Sequence, residues 1–485
     1  MVSTGLWLAL KGNSRLGCWQ RLCVLLILGL LRSQAPIAFQ GNSATGKQDS
    51  HKIEADSPGA TAPDAEALDP KPAGPAYPLS SRAQLWSQTR QQKSQERKEV
   101  KQSTFQKLLL QVEKKGFQGL LSYRDFYGRV LGTITTGSGF APGIRYWKPN
   151  LNGSLFTVQA SAAYSIRHYQ EYVLQLGKDP TLRDEFVFRP NVRGKEMLRL
   201  DEPYRKVGDF FLYADLRYRD FPEEDFFGLG PHSKLTDRTD FSLTSSSYGA
   251  VVGYQFTSWL NLAGRAAYLT MSNGPGKDEQ FPNIQERFND LTAPGLKRQP
   301  DFLNLSSAAL MDSRDRPGNP HSGGMFGISL SRFDDRGSEE FDFSRLALDG
   351  RYYATLGSDQ RVLAFRFFTL FDDEDPGTRI PFYVQETLGG DGSLRGFRDF
   401  RFRDNNLLFL SAEYRWEASP VFELAFFYDR GKVFSKRSDF DFSGLEKGFG
   451  FGIRLKTPDS VLLRLDFARS REHSLRMHFK FGRSF

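Results

Sequence analysis

The final stretch of the chain, SLRMHFKFGRSF, alternates with a period of two. Leu475, Met477, Phe479, Phe481 and Phe485 share one face; Arg476, His478, Lys480, Gly482 and Ser484 share the other. A β-strand sends successive side chains to opposite sides, so this period specifies a strand. The rhythm recurs upstream. Val461, Leu463, Leu465 and Phe467 oppose Arg464, Asp466 and Ala468; Phe449, Phe451, Ile453 and Leu455 oppose Gly450, Gly452, Arg454 and Lys456. Phe422, Leu424, Phe426 and Tyr428 oppose Glu423, Ala425, Phe427 and Asp429. Leu408, Leu410, Ala412, Tyr414 and Trp416 oppose Ser411, Glu413, Arg415 and Glu417.

Such a sheet is antiparallel, with one apolar and one polar face. A soluble sandwich and a membrane barrel both satisfy that pattern. Three features favour the barrel. The apolar faces repeat strand after strand with large aromatics. The opposite faces carry charges and glycines, as a wet lumen would. The chain also reads as exported. The predicted fold is therefore all-β, a transmembrane antiparallel β-barrel of about 16 strands. Fifteen strand-like runs lie near 138–148, 155–164, 168–177, 209–219, 240–256, 259–273, 301–313, 322–334, 342–356, 360–373, 406–418, 420–433, 446–456, 460–470 and 473–485. A single-chain barrel has an even count, which predicts one more strand in 178–207 or a split of 240–256. The mean hydropathy of −0.47 argues against a helical membrane protein and says nothing against a barrel, where only alternate residues face lipid.

Arg15 and Arg21 precede the apolar run LCVLLILGLL, and small residues follow at Ala35 and Ala38. This is the pattern of a signal peptide over 1–38; a membrane anchor is the alternative. Both cysteines, Cys18 and Cys23, fall inside it, so a processed chain would contain none. Residues 39–80 are rich in Pro, Ala, Gly and Asp and read as a disordered linker. Residues 81–127 read as a helical segment, with Phe105, Leu108, Leu109 and Val112 on one stripe and Gly116 as C-cap. That stripe suits docking, plugging, or a periplasmic protein partner held through residues 81–115. The barrel is predicted over 128–485. The net charge of +8 is dispersed and does not point to nucleic acid.

Between two of the strands stands LGGDGSLRGF, Leu388 to Phe397. Its glycines permit a sharp turn, and Arg395 is its one guanidinium. It lacks the G-x-x-x-x-G-K-[ST] spacing of a phosphate-binding loop. Ser393 has no G-x-S-x-G setting, and the six histidines show no metal-ligand spacing. No catalytic residue, cofactor or metal is expected.

This loop, followed by LSAEYRW, FFYDRG and a terminal strand ending in Phe, resembles the BamA/TamA superfamily of outer-membrane proteins, also called the bacterial surface antigen family. The turn DSRDRPGNPHSGG from Asp312 is similar to that family's Asp-rich turn. The resemblance covers roughly residues 128–485. It implies a sixteen-stranded barrel whose sixth outer loop folds into the lumen. Carried over, Arg395 is the loop arginine and Asp429 the wall acid it meets, with Glu413 a second partner. Gly389, Gly390, Leu394, Gly396 and Phe397 form the loop motif. Met477, Phe479, Phe481 and Phe485 act as the C-terminal assembly signal, read by the barrel-assembly machinery when the chain is inserted among outer-membrane lipid. Family members that assemble other barrels carry POTRA domains before the barrel; residues 41–127 show no β-α-α-β-β pattern. The resemblance thus implies a protein-insertion or translocation component, and the departure a passive channel or structural barrel.

Overall fold

A computed structural model of the protein describes residues 122–123, 126–129, 134–135, 137–178, 207–457 and 461–481. The predicted signal peptide, the linker and residues 81–121 of the helical segment lie outside the described residues, as do the connection 179–206 and Phe485.

Among the described residues, seventeen strands form one sheet. A short hairpin of β1 (Ser122–Tyr123) and β2 (Phe126–Arg129) leads into β3 (Gly143–Lys148), β4 (Phe156–Tyr164), β5 (Gln170–Lys178) and β6 (Phe210–Phe226). The sheet continues through β7 (Thr239–Gln255), β8 (Leu260–Pro275), β9 (Phe302–Asp312), β10 (Gly323–Asp335), β11 (Phe343–Leu356) and β12 (Ser358–Glu374). Within the next connection, β13 (Thr387–Leu388) pairs with β14 (Phe402–Arg403) as a separate ladder. The sheet resumes with β15 (Asn406–Glu417), β16 (Phe422–Phe434), β17 (Glu446–Lys456), β18 (Val461–Arg469) and β19 (Arg476–Phe481). Each strand pairs antiparallel with the next, and β12 pairs with β15. Setting aside the two-residue β1, the described sheet has sixteen strands.

Of the two places expected for a further strand, 178–207 lies almost wholly outside the described residues. Residues 240–256 are not split; they are the single strand β7. Among the described residues the additional strand is β2, and the described sheet begins inside the segment predicted to precede the barrel. Four residues are too few to display a period, and pairing with β1 and β3 is what makes them a strand.

The burial of the two faces separates barrel from sandwich. A sandwich buries its apolar faces against each other. Here Phe426 is 54%, Phe451 46% and Phe479 55% exposed, while Glu413, Asp429, Arg454 and Asp466, on the opposite face, are essentially buried. An apolar exterior around a charged interior is stable only in lipid.

Residues 256–259, 357 and 418–421 make tight turns at one end of the strands; residues 276–301, 336–342, 375–405 and 435–445 make longer loops at the other. Long loops mark the outer side. There Phe226, Phe241, Phe302, Phe333 and Phe343, at or near strand ends, pack with Ile380, Phe382, Tyr383 and Val384 of the β12–β15 loop into a buried apolar cluster. The rings of Phe333 and Phe343 stack at 4.4 Å, and Phe382 meets Phe241 edge-on at 4.9 Å.

Candidate functional site

The β12–β15 loop runs from the outer cluster into the lumen. Its base is the ladder of Thr387 with Arg403 and Leu388 with Phe402. Gly389 and Gly390 have φ of +124° and +83°, which a side-chain-bearing residue would resist. The Ser393 hydroxyl accepts from the Gly389 N–H at 3.0 Å and donates to the Gly389 carbonyl at 3.1 Å, so it ties its own turn. Leu394 and Phe397 are fully buried and pack with Leu370, Leu388, Phe402, Leu407, Phe409 and Val433. These anchors hold the intervening Arg395 against the wall.

Arg395 is 2% exposed. Its Nε donates to Asp429 Oδ2 and its Nη2 to Asp429 Oδ1, both at 2.7 Å, the bidentate geometry that only a guanidinium offers. Its backbone N–H also donates to Asp429 at 3.2 Å. Nη1 donates to Glu413 Oε1 at 2.7 Å and lies 3.4 Å from Asp466 Oδ2. The guanidinium sits 3.5 Å from the centre of the Phe427 ring. Burial works to lower its proton affinity, but the attraction of Asp429 and Glu413 outweighs it and holds Arg395 well above the ordinary arginine range.

The pair belongs to a larger network. Glu413 also accepts from Arg415 Nε at 3.0 Å and Arg454 Nη2 at 2.8 Å, and Arg454 reaches Glu423 at 2.9 Å. Arg464 lies 3.0 Å from Asp466 and donates to the loop carbonyl of Asp391 at 2.6 Å. Four acids (Glu413, Glu423, Asp429, Asp466) thus face four arginines (Arg395, Arg415, Arg454, Arg464), supplied by β15 to β18 and the loop. A balanced set is what permits so many buried charges.

Two further loop arginines were not picked out from sequence. Arg401 pairs with Glu472, between β18 and β19, at 2.8 Å and donates to the Ser233 carbonyl, between β6 and β7, at 2.6 Å. Elements far apart along the sheet meet on one side chain, as a curled sheet requires. Arg403 lies 5.6 Å from the rings of Phe226, Phe241 and Phe382 and donates to the Phe382 carbonyl at 2.6 Å. Burial pushes it down to about 9, opposed by Glu386. The signal for Arg454 and Asp466 was present in the alternation, which puts both on inner faces; Arg401 and Arg403 sit in aperiodic sequence and carried none.

Of the C-terminal residues expected to act together, Met477 and Phe479 are exposed on the outer face of β19. Phe481 ends that strand, and Phe485 lies outside the described residues.

The Omp85 superfamily domain matches residues 197–485. The chain belongs to the Omp85 superfamily. It is an outer-membrane β-barrel of a diderm bacterium. The structure of BamA from Haemophilus ducreyi lacking POTRA domains 1–3 superposes with a TM-score of 0.52 at 15% identity, covering 74% of this chain and 69% of that one. CdiB from Escherichia coli gives 0.45 at 14% identity over 74% and 62% of the two chains. CdiB from Acinetobacter baumannii gives 0.40 at 11% identity over 73% and 59%. No curated protein matches the sequence. BamA and this Omp85 chain share a fold; what the barrel does is read from its own residues.

Proposed function

We propose that this Omp85 barrel is a non-enzymatic protein-insertion or translocation component of the outer membrane, with the β12–β15 loop as an inward-folded lid. The observation that carries the reading is the bidentate contact of Arg395 with Asp429 in a network that ties the loop to four wall strands. A loop needed only to cover the outer mouth has no use for a charge placed this deep. The lid braces the wall and sets permeability, and its release opens the lumen. Residues 81–115 are the proposed contact for a periplasmic partner, and Met477, Phe479, Phe481 and Phe485 the signal by which the barrel-assembly machinery inserts the chain.

The test pairs two measurements on the full-length protein. Co-purification with unfolded outer-membrane barrels or an assembly complex is expected, together with low bilayer conductance that rises in Asp429→Ala. High conductance in the unaltered protein with no associated protein would replace this reading with a passive channel.

A further inference from the structure

The outer wall carries a hollow beside three cations that have no carboxylate partner among the described residues. One register row crosses β10, β11, β12, β15 and β16 as Phe326, Gly350, Phe367, Leu410 and Arg430. The row beneath it reads Tyr352, Phe365, Ala412 and Tyr428. Gly350 and Ala412 leave gaps among large rings, and the gaps merge into a hollow of about 570 Å³. Phe326, Tyr352, Phe365 and Tyr428 are all more than a third exposed, so the hollow faces lipid. A Cβ at Gly350 would meet only Phe326, at 3.7 Å, which leaves the space open.

Arg430 closes the upper row toward the outer loops. It stands directly opposite Lys447 on β17, and Arg469 on β18 is paired with Phe449, one row below Lys447. Like charges facing each other across strands repel. Among the described residues none of the three has a carboxylate partner, and the buried Nε of Arg430 has no acceptor. Below them the outer face is apolar, with Tyr428, Phe449 and Phe451. Cations at the upper border of an apolar band lie at the level of lipid headgroups.

We propose that Arg430 and Lys447, flanked by Arg469, bind the phosphate of an anionic outer-leaflet lipid whose acyl chain lies in the hollow over Gly350 and Ala412. The phosphate supplies the missing counter-charge and the acceptor for Arg430 Nε. The chain fills space that no side chain occupies.

Native mass spectrometry of the full-length protein in micelles tests this with phosphatidylglycerol against phosphatidylcholine. The expected result is at least tenfold tighter retention of phosphatidylglycerol. Arg430→Gln with Lys447→Gln should abolish that preference, and Ala412→Phe should weaken both lipids. Removing lipid-facing charges does not endanger insertion, so the folded band on unboiled gels should persist in the double variant. Equal retention of the two lipids, or an unchanged preference in the double variant, overturns the proposal. Displacement of bound lipid by millimolar inorganic phosphate also overturns it, because that identifies a free-anion site.

Discussion

Gly448 lies directly under Arg395. A Cβ at 448 would stand 1.9 Å from the Arg395 carbonyl oxygen, nearer than any real contact. The absence of a side chain on β17 is therefore what lets the loop backbone rest on the wall. Gly396, the next loop residue, repeats the relationship: its φ is +93°, and a Cβ there would meet the Arg469 carbonyl at 2.8 Å.

Gly448→Ala should lift the loop and weaken all the Arg395 contacts together, at a cost of about 1–3 kcal/mol. The expected signature is faster proteolytic cleavage within residues 389–404 and higher bilayer conductance, with the barrel still folded. Gly350→Ala, in open space on the outer face, serves as the control. Equal protease resistance in the two variants would contradict the close approach.

Arg395→Ala leaves Asp429 buried without its cation, and Asp429→Ala leaves the buried Arg395 with Glu413 but without its bidentate partner. Each should cost about 3–5 kcal/mol of local stability. Arg395→Lys keeps the charge but loses the fork that serves Asp429 and Glu413 together, so an intermediate loss is expected. The double alanine variant should cost less than the sum of the two singles. Hydrogen exchange of residues 389–397 reads all four; strict additivity would mean that the pair is not coupled.

Asp404, in the loop just before β15, has a carboxyl that burial pushes up to about 6. The folded form therefore holds its proton more tightly than an unfolded chain, with its ordinary value of 3.8. The destabilisation is full above about pH 6 and fades as pH falls toward 3.8. The loop should be firmer at pH 5 than at pH 7.5, by roughly 1 kcal/mol. Asp404→Asn should raise the thermal midpoint at pH 7.5 and flatten the profile. A midpoint that falls on mild acidification in the unaltered protein, and equally in Asp404→Asn, would place the titration elsewhere.

Phe479 points outward from β19, and the next residue, Lys480, lies 3.5 Å from Asp391 of the loop. Phe479→Arg sets a charge in lipid, at about 2–4 kcal/mol if near the midplane. Loss of the fast-migrating folded band is expected for Phe479→Arg and its retention for Lys480→Arg. Similar losses in both would reverse the assignment of faces.

The sequence alone determined the faces. A period of two needs no tertiary information, because the pleat itself sends Asp429, Glu413 and Asp466 one way and Phe426, Phe449 and Phe479 the other. It determined strand positions for the same reason: from β6 onward most predicted runs lie within two residues of the observed bounds at each end. Tertiary structure decided the rest. β2 is a strand because β1 and β3 pair with it on either side. Asp466 is far from Arg395 in sequence yet 3.4 Å from it in space, because curling the sheet brings β15 to β18 around one loop. Arg401 and Arg403 lie in aperiodic sequence, where no repeat says which way a side chain points. Their partners, Glu472 and the rings of Phe226, Phe241 and Phe382, come from other segments of the chain. Local geometry is written in neighbouring residues; ion pairs between segments distant in sequence depend on how the strands are laid side by side and curled, which is a property of the whole sheet.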